Sequence, residues 1–300
     1  MPGDSLTITI GDTIIAVPPE MSGEPALATS NDYTDLFFII GVVLVILLVT
    51  RFRALQQEKL QKMRLSKLEG QEIQFRHWLE AYNPYYRKLS YELKTVFQQR
   101  VLRFLATKNF HFVEMQEEER AKVLISAAAV QLTFGLQTYE LEFFTEIYVL
   151  KSDYRYGLYN VPFEGHVSSD GIYLSWSHFE RAYADYTDGS NVGLHEMAHA
   201  LAYVNFVEMQ GVDEGFRKRF FTFSKTGRPV FNSLKENPSP FLGDYAATNY
   251  NEFWAVCVEQ FFERPEAFRI SHPGLFQALM DLLNQDPRIP GKILKAIENE

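Results

Sequence analysis

Fifteen consecutive residues without a charge, LFFIIGVVLVILLVT from Leu36 to Thr50, constrain this chain more than any other stretch. The run is shorter than the ~20 residues a membrane-spanning helix prefers. Tyr33 and Thr34 extend it on one side, and Arg51 and Arg53 can snorkel at the other. A buried core helix fits poorly, because nothing in the run is polar and both flanks change abruptly. A secretory leader opens on a basic stretch, yet no Lys or Arg precedes this run. The expectation is one transmembrane helix over residues 36–50, through which the chain meets a lipid bilayer.

The flanks set an orientation. Asp4, Asp12, Glu20, Glu24, Asp32 and Asp35 come before the run; Arg51, Arg53, Lys59, Lys62, Arg64 and Lys67 come after it. The positive-inside rule places the large C-terminal part in the cytoplasm and the N-terminal tail outside. The chain has 300 residues, 46% of them hydrophobic, so one main domain can bury a sizeable core. A formal net charge of −9 argues against direct binding of nucleic acid, which needs a clustered basic surface. Cys257 is the only cysteine. No intramolecular disulfide can form, and any metal must be held by His and carboxylate side chains.

Four regions follow. Residues 1–35 are a short tail, in which LTITIGDTIIAV alternates around Gly11-Asp12 as a small hairpin would, and PPEMSGEP reads as a loop. Residues 36–50 are the anchor, and 51–74 a juxtamembrane helical linker. The helical pattern runs to about Glu80 and stops at Asn83-Pro84. Residues 75–290 form the globular domain. Helices are expected around 86–107, 117–134, 177–185, 190–205, 212–223, 249–263 and 274–284. FTEIYVL (144–150) and GIYLSW (171–176) read as strands. The class is α+β, mostly helical with a small sheet.

Chemistry concentrates in NVGLHEMAHALAYV. On a helix, His195 and His199 lie one turn apart on one face and can hold one ion. Glu196 is rotated off that pair, where a base can act beside a metal. Val192, Leu194, Met197, Ala198, Leu201 and Val204 make the segment apolar nearly all round, hence buried. Two histidines and a glutamate inside such a helix need partners, and a metal satisfies all three. A catalytic zinc also needs a third protein ligand. GDYAATNYNEFWAVCVEQFFERP supplies the best candidate. Asn249 or Asn251 can cap a helix there, and Glu252 sits in its first turn. Glu259 and Glu263 lie further along and read as solvated.

SWSHFERAYADYTDGSNVGLHEMAHAL, then YAATNYNEFWAVCVEQFFERPEAF and HPGLFQALMDLLNQDP, closely resemble the Mlc titration factor A family of zinc metallopeptidases. RFLATKNF and KVLISAAAVQLTFGL look like that family's N-terminal half, so the resemblance spans roughly residues 75–287. The catalytic domain of anthrax lethal factor is similar in its His-Glu motif and second-helix acid. The resemblance implies a zincin-like fold, Zn²⁺ on His195, His199 and Glu252, and Glu196 as general base. It also implies a tyrosine seven residues before the third ligand as oxyanion donor, which here is Tyr245; Tyr250 is nearer in sequence and stays open. The family often carries an acid where this chain has Ala202, which leaves the acceptor behind the ligands unassigned. Asn205 or a backbone carbonyl can take that place. His166 reads as structural, or at most at the edge of a cleft.

The expected activity is therefore hydrolysis of a peptide or protein substrate by a membrane-tethered zinc peptidase. The rival, also implied by the resemblance, is a membrane-tethered binder that sequesters a transcriptional repressor and uses zinc structurally. Glu196 weighs against the rival, because a structural ion has no need of an unliganded carboxylate beside it.

Overall fold

Residues 7–10, 13–16, 32–68, 70–155, 157, 162–208, 212–237 and 239–292 are described in a computed structural model. The chain divides into two units, Met1–Gln57 and Glu58–Glu300. In the first, β1 (Thr7–Ile10) pairs antiparallel with β2 (Thr13–Ala16), as the alternation predicts. The turn at Gly11-Asp12 and the PPEMSGEP stretch lie outside the described residues. α1 (Asp32–Leu68) carries the uncharged run, with the side chains from Leu36 to Thr50 exposed throughout. It is long and apolar enough to cross a membrane.

In the second unit, Leu65 and Leu68 at the end of α1 already pack on the core. The helical pattern is interrupted at Gly70, before α2 (Glu72–Tyr82), rather than running unbroken to Glu80. Asn83-Pro84 does end α2, and Asn83 then caps the short α3 (Pro84–Arg87) by accepting from the Tyr86 N–H. α4 (Tyr91–Thr107) follows behind Ser90, so the helix expected from residue 86 is two helices. The chain continues through β3 (Asn109–Val113), α5 (Glu119–Thr133), β4 (Glu146–Leu150), β5 (Gly165–Ser168), β6 (Gly171–Ser175) and α6 (Trp176–Ala184).

The sheet runs β3-β4-β6-β5, with β5 antiparallel at one edge and the other pairings parallel. The β3 and β5 strands were not expected. Both are short, and pairing with their neighbours, rather than local composition, makes them strands. Alternation splits the sheet's two faces. Ile147, Val149, Ile172 and Leu174 are fully buried on one. On the other, His111, Tyr148, Tyr173 and His166 stack across all four strands, with ring centroids 4.8, 4.4 and 4.2 Å apart.

The remaining helices are α7 (Val192–Tyr203), α8 (Glu214–Leu234), α9 (Tyr250–Glu263), α10 (Pro265–Ser271) and α11 (Pro273–Leu283). α7 ends in a π-helical turn, Val204–Glu208. α8 is longer than the 212–223 expected, because it continues through Pro229. The class is thus α+β and mostly helical.

α7 and α9 form the buried heart of the unit, and polar contacts set their register. Trp254 of α9 donates its indole N–H to the Ala198 carbonyl of α7 at 2.9 Å. Asn191 caps α7 by accepting from the Leu194 N–H at 3.0 Å, while its amide donates to Glu263 at 2.9 Å. Glu263 also accepts from the Gly189 N–H. Burial pushes its carboxyl up to about 8, with the Asn191 hydrogen bond acting against that rise.

Asn191→Ala should therefore destabilise the chain by about 2–4 kcal/mol, combining a lost cap with an unsatisfied buried carboxyl. A melt of the full chain in detergent reads this as a lower Tm. Asn191→Asp keeps the cap but replaces the amide that donates to Glu263 with an acceptor, so it should remain destabilised.

Candidate metal centre

α7 begins at Asn191 and presents His195 on its second turn, with His199 one turn further. α9 begins at Asn249, whose side chain accepts from the Asn251 and Glu252 N–H groups at 2.9 and 3.1 Å. The cap is thus Asn249, not Asn251, and it holds Glu252 in the first turn. The packing of α7 on α9 brings together residues 57 positions apart. His195 Nε2 lies 2.9 Å from Glu252 Oε2 and 3.0 Å from His199 Nε2, and His199 Nε2 lies 3.3 Å from Glu252 Oε2.

These three atoms form a near-equilateral triangle. Bonds of roughly 2.0–2.1 Å in a tetrahedral zinc site imply ligand separations of about 3.3 Å. Two imidazole nitrogens and one carboxylate oxygen are also the donor set such an ion takes. A second observation fits the same reading. Glu196 is buried, and its Oε2 has no hydrogen-bond partner among the described residues. A buried, unsatisfied carboxylate oxygen is costly unless a charge or a bound molecule meets it.

Electrostatics agree with the geometry. Burial pushes Glu196 up to about 8; His195 opposes that, while Glu252 and Glu259 add to it. A cation at the triangle would bring it back down. Burial works against charge on Glu252 too, but His195 and His199 outweigh it and hold the carboxyl well below the usual range. Burial alone would lower His195, yet Glu259 and Glu252 raise it well above its ordinary value. Burial lowers His199, against the pull of Glu252.

Glu259 overturns one sequence expectation. It is buried rather than solvated, and its carboxylate accepts a hydrogen bond from His195 Nδ1 and another, at 3.1 Å, from the Asn191 N–H. Glu263 is buried as well. The acceptor behind His195 is therefore Glu259, supplied by α9, and Ala202 lines the cleft instead. Asn205 is committed elsewhere: it donates to the Leu201 carbonyl and accepts from the Asp213 N–H. A signal for Glu259 exists in the sequence. It lies seven residues after Glu252, two turns along the same helix face.

A cleft of about 690 Å³ opens over His195, His199, Glu252 and Glu196. The edge strand β5 forms one wall through Gly165, His166 and Val167. A Cβ on Gly165 would lie 2.6 Å from Glu196 Cγ and Oε1, so only glycine lets β5 come this close. His166 is at the cleft wall and structural together: its Nδ1 meets the Tyr154 hydroxyl at 2.7 Å and its ring ends the aromatic stack. Burial lowers it to about 4, so it is neutral.

The two tyrosines part company. Tyr245 lies in a short 3-10 helix, Tyr245–Ala247, facing the cleft with its ring 5.9 Å from that of His195. Burial, then the hydrogen bond and charge of Glu252, raise its pKa, so the phenol keeps its proton. Tyr250 instead spends its hydroxyl on the Ser224 carbonyl of α8 at 3.4 Å.

Glu259→Gln removes the charge behind His195 and should weaken divalent-metal affinity by about 10- to 100-fold. Competition against a chromophoric chelator measures it.

Comparison with known proteins gives a family. A family model described as glucose-regulated metallo-peptidase M90 matches residues 56–283. An uncharacterized protein of Synechocystis sp. is 25% identical over 228 residues, covering 69% of this chain and 82% of the relative.

Proposed function

The chain belongs to the glucose-regulated metallo-peptidase M90 family, and from that premise we propose that it is a zinc-dependent peptidase tethered to a membrane. The observation that carries the reading is the buried, unpartnered Glu196 Oε2 beside the His195–His199–Glu252 triangle. A structural ion would leave that carboxylate without a task, which favours the enzyme over the sequestering binder.

His195, His199 and Glu252 would hold a zinc ion, which when bound would supply Lewis acidity to a substrate carbonyl and to water in the cleft. Glu196 takes the proton of the attacking water and later returns it to the leaving amine. Tyr245 keeps its phenolic proton and donates a hydrogen bond to the oxyanion that develops on the scissile carbonyl. Glu259 holds the Nδ1 side of His195, which leaves Nε2 turned to the cleft to bind an ion once its proton is displaced. The substrate is a peptide or protein segment lying along the cleft beside β5. Residues 36–50 anchor the chain in the bilayer and 51–74 link the anchor to the domain that extends to 290. The basic flank after the anchor supports a cytoplasmic location for that domain.

Glu196→Gln should retain one zinc per chain and lose about 10²- to 10⁴-fold in turnover. Parent-like cleavage by that variant would overturn the mechanism. Tyr245→Phe should lower kcat by about 10²-fold with little change in bound metal. Gly165→Ala should displace Glu196 and reduce kcat without unfolding the chain, as circular dichroism would register.

A further inference from the structure

One cationic side chain on the cleft wall has no role in the chemistry above. Arg228 is the sole Lys or Arg among the described residues that line the cleft. No described residue accepts a hydrogen bond or forms an ion pair with its guanidinium. Its position is nonetheless determined. The guanidinium carbon lies 4.7 Å from the centre of the Tyr250 ring. That ring is held by its hydroxyl on Ser224, one turn earlier in α8, and packs on Phe253 and Phe231.

The backbone reinforces the placement. A Cβ at Gly227 would sit 3.0 Å from both Phe253 Cε1 and the Tyr250 hydroxyl, so glycine lets α8 approach α9 here. Tyr250 is two residues before the ligand Glu252, which ties the platform to the metal centre. A guanidinium stacked on an aromatic face keeps its N–H edges in plane and open to an acceptor. The carboxylates nearby do not serve: Glu252 is engaged by His195 and His199, and Glu196 faces β5. Phe206 and Phe220, 4.8 Å apart, line the same cleft and give that part of it an apolar floor.

We propose that Arg228 is a specificity residue that receives a substrate carboxylate, so that the enzyme prefers peptides presenting an anionic group to this wall. Arg228 is exposed on the cleft wall, and its two planar N–H groups match a carboxylate bidentately. The carboxylate belongs either to the substrate's C-terminus or to an Asp or Glu side chain. The inference rests on the peptidase reading, and its test separates the two.

The full chain, zinc-loaded in detergent, is assayed on matched peptides: free acid against C-terminal amide, and Glu against Gln at successive positions. One member of a matched pair should be cleaved with about 10- to 100-fold higher kcat/KM than its neutral isostere. Arg228→Gln should erase that ratio by slowing the anionic peptide alone, and Arg228→Lys should keep part of it. A preference that follows the free terminus assigns the C-terminal carboxylate; one that follows Glu assigns the side chain. Equal rates on both members of every pair, or equal loss on both in Arg228→Gln, would overturn the inference and leave the peptidase reading intact. Binding of the same peptides to the zinc-loaded Glu196→Gln chain, followed by fluorescence anisotropy, gives a readout independent of turnover. If the parent cleaves nothing, the peptidase reading fails, and the anionic-to-neutral binding ratio with and without Arg228 still decides the inference.

Discussion

The contact between Glu259 and His195 organises this structure. One carboxylate on α9 accepts from the Nδ1 of a histidine on α7 and from the backbone N–H of Asn191 just before that helix. The first contact orients the imidazole and aims Nε2 at Glu252. The second ties the start of α7 to α9. With Glu263 holding Asn191 and Gly189 four residues further on, the same face of α9 fixes both His195 and the helix that bears it. A metal triangle assembled from two helices needs such a fixed register, because a slip of one residue on a helix rotates a side chain by about 100°.

This arrangement gathers four carboxyl groups into a poorly hydrated region. Glu196, Glu259 and Glu263 are buried, and Glu252 is mostly so. Burying carboxylates is costly unless hydrogen bonds or a cation offset it. Glu259 and Glu263 are met by backbone and side-chain donors, and Glu252 by two imidazoles. Glu196 has none of these for its Oε2, and that asymmetry separates the group suited to proton transfer from those that hold the architecture. The edge strand completes the separation, since Gly165 lets the sheet close over Glu196 without a side chain between them.

Much of the site was legible in order along the chain. The i, i+4 histidines, the glutamate between them, and the acid in the first turn of a second apolar helix are local patterns, and helical geometry turns them directly into spatial statements. Glu259 was misread because an acid late in a helix is usually solvated; its i+7 relation to Glu252 puts it on the same face. β3 and β5 were missed because strands of four or five residues owe their form to pairing. The break at Gly70 follows local propensity, since glycine with φ 93° ends a helix readily, whereas α8 continues through Pro229 against it, supported by its packing at Gly227.

By itself, then, the amino-acid order determined which donor atoms exist, that two segments must be buried helices, and that an uncharged run precedes the domain. Those are consequences of residue chemistry and of a fixed helical period. Only the tertiary structure decided which face of α9 meets α7, that Glu259 rather than Asn205 stands behind His195, that Tyr245 rather than Tyr250 faces the cleft, and that Arg228 lies over an aromatic platform on its wall. Each of these depends on burial between segments distant in the chain, and a local period cannot say which of its faces will lose water.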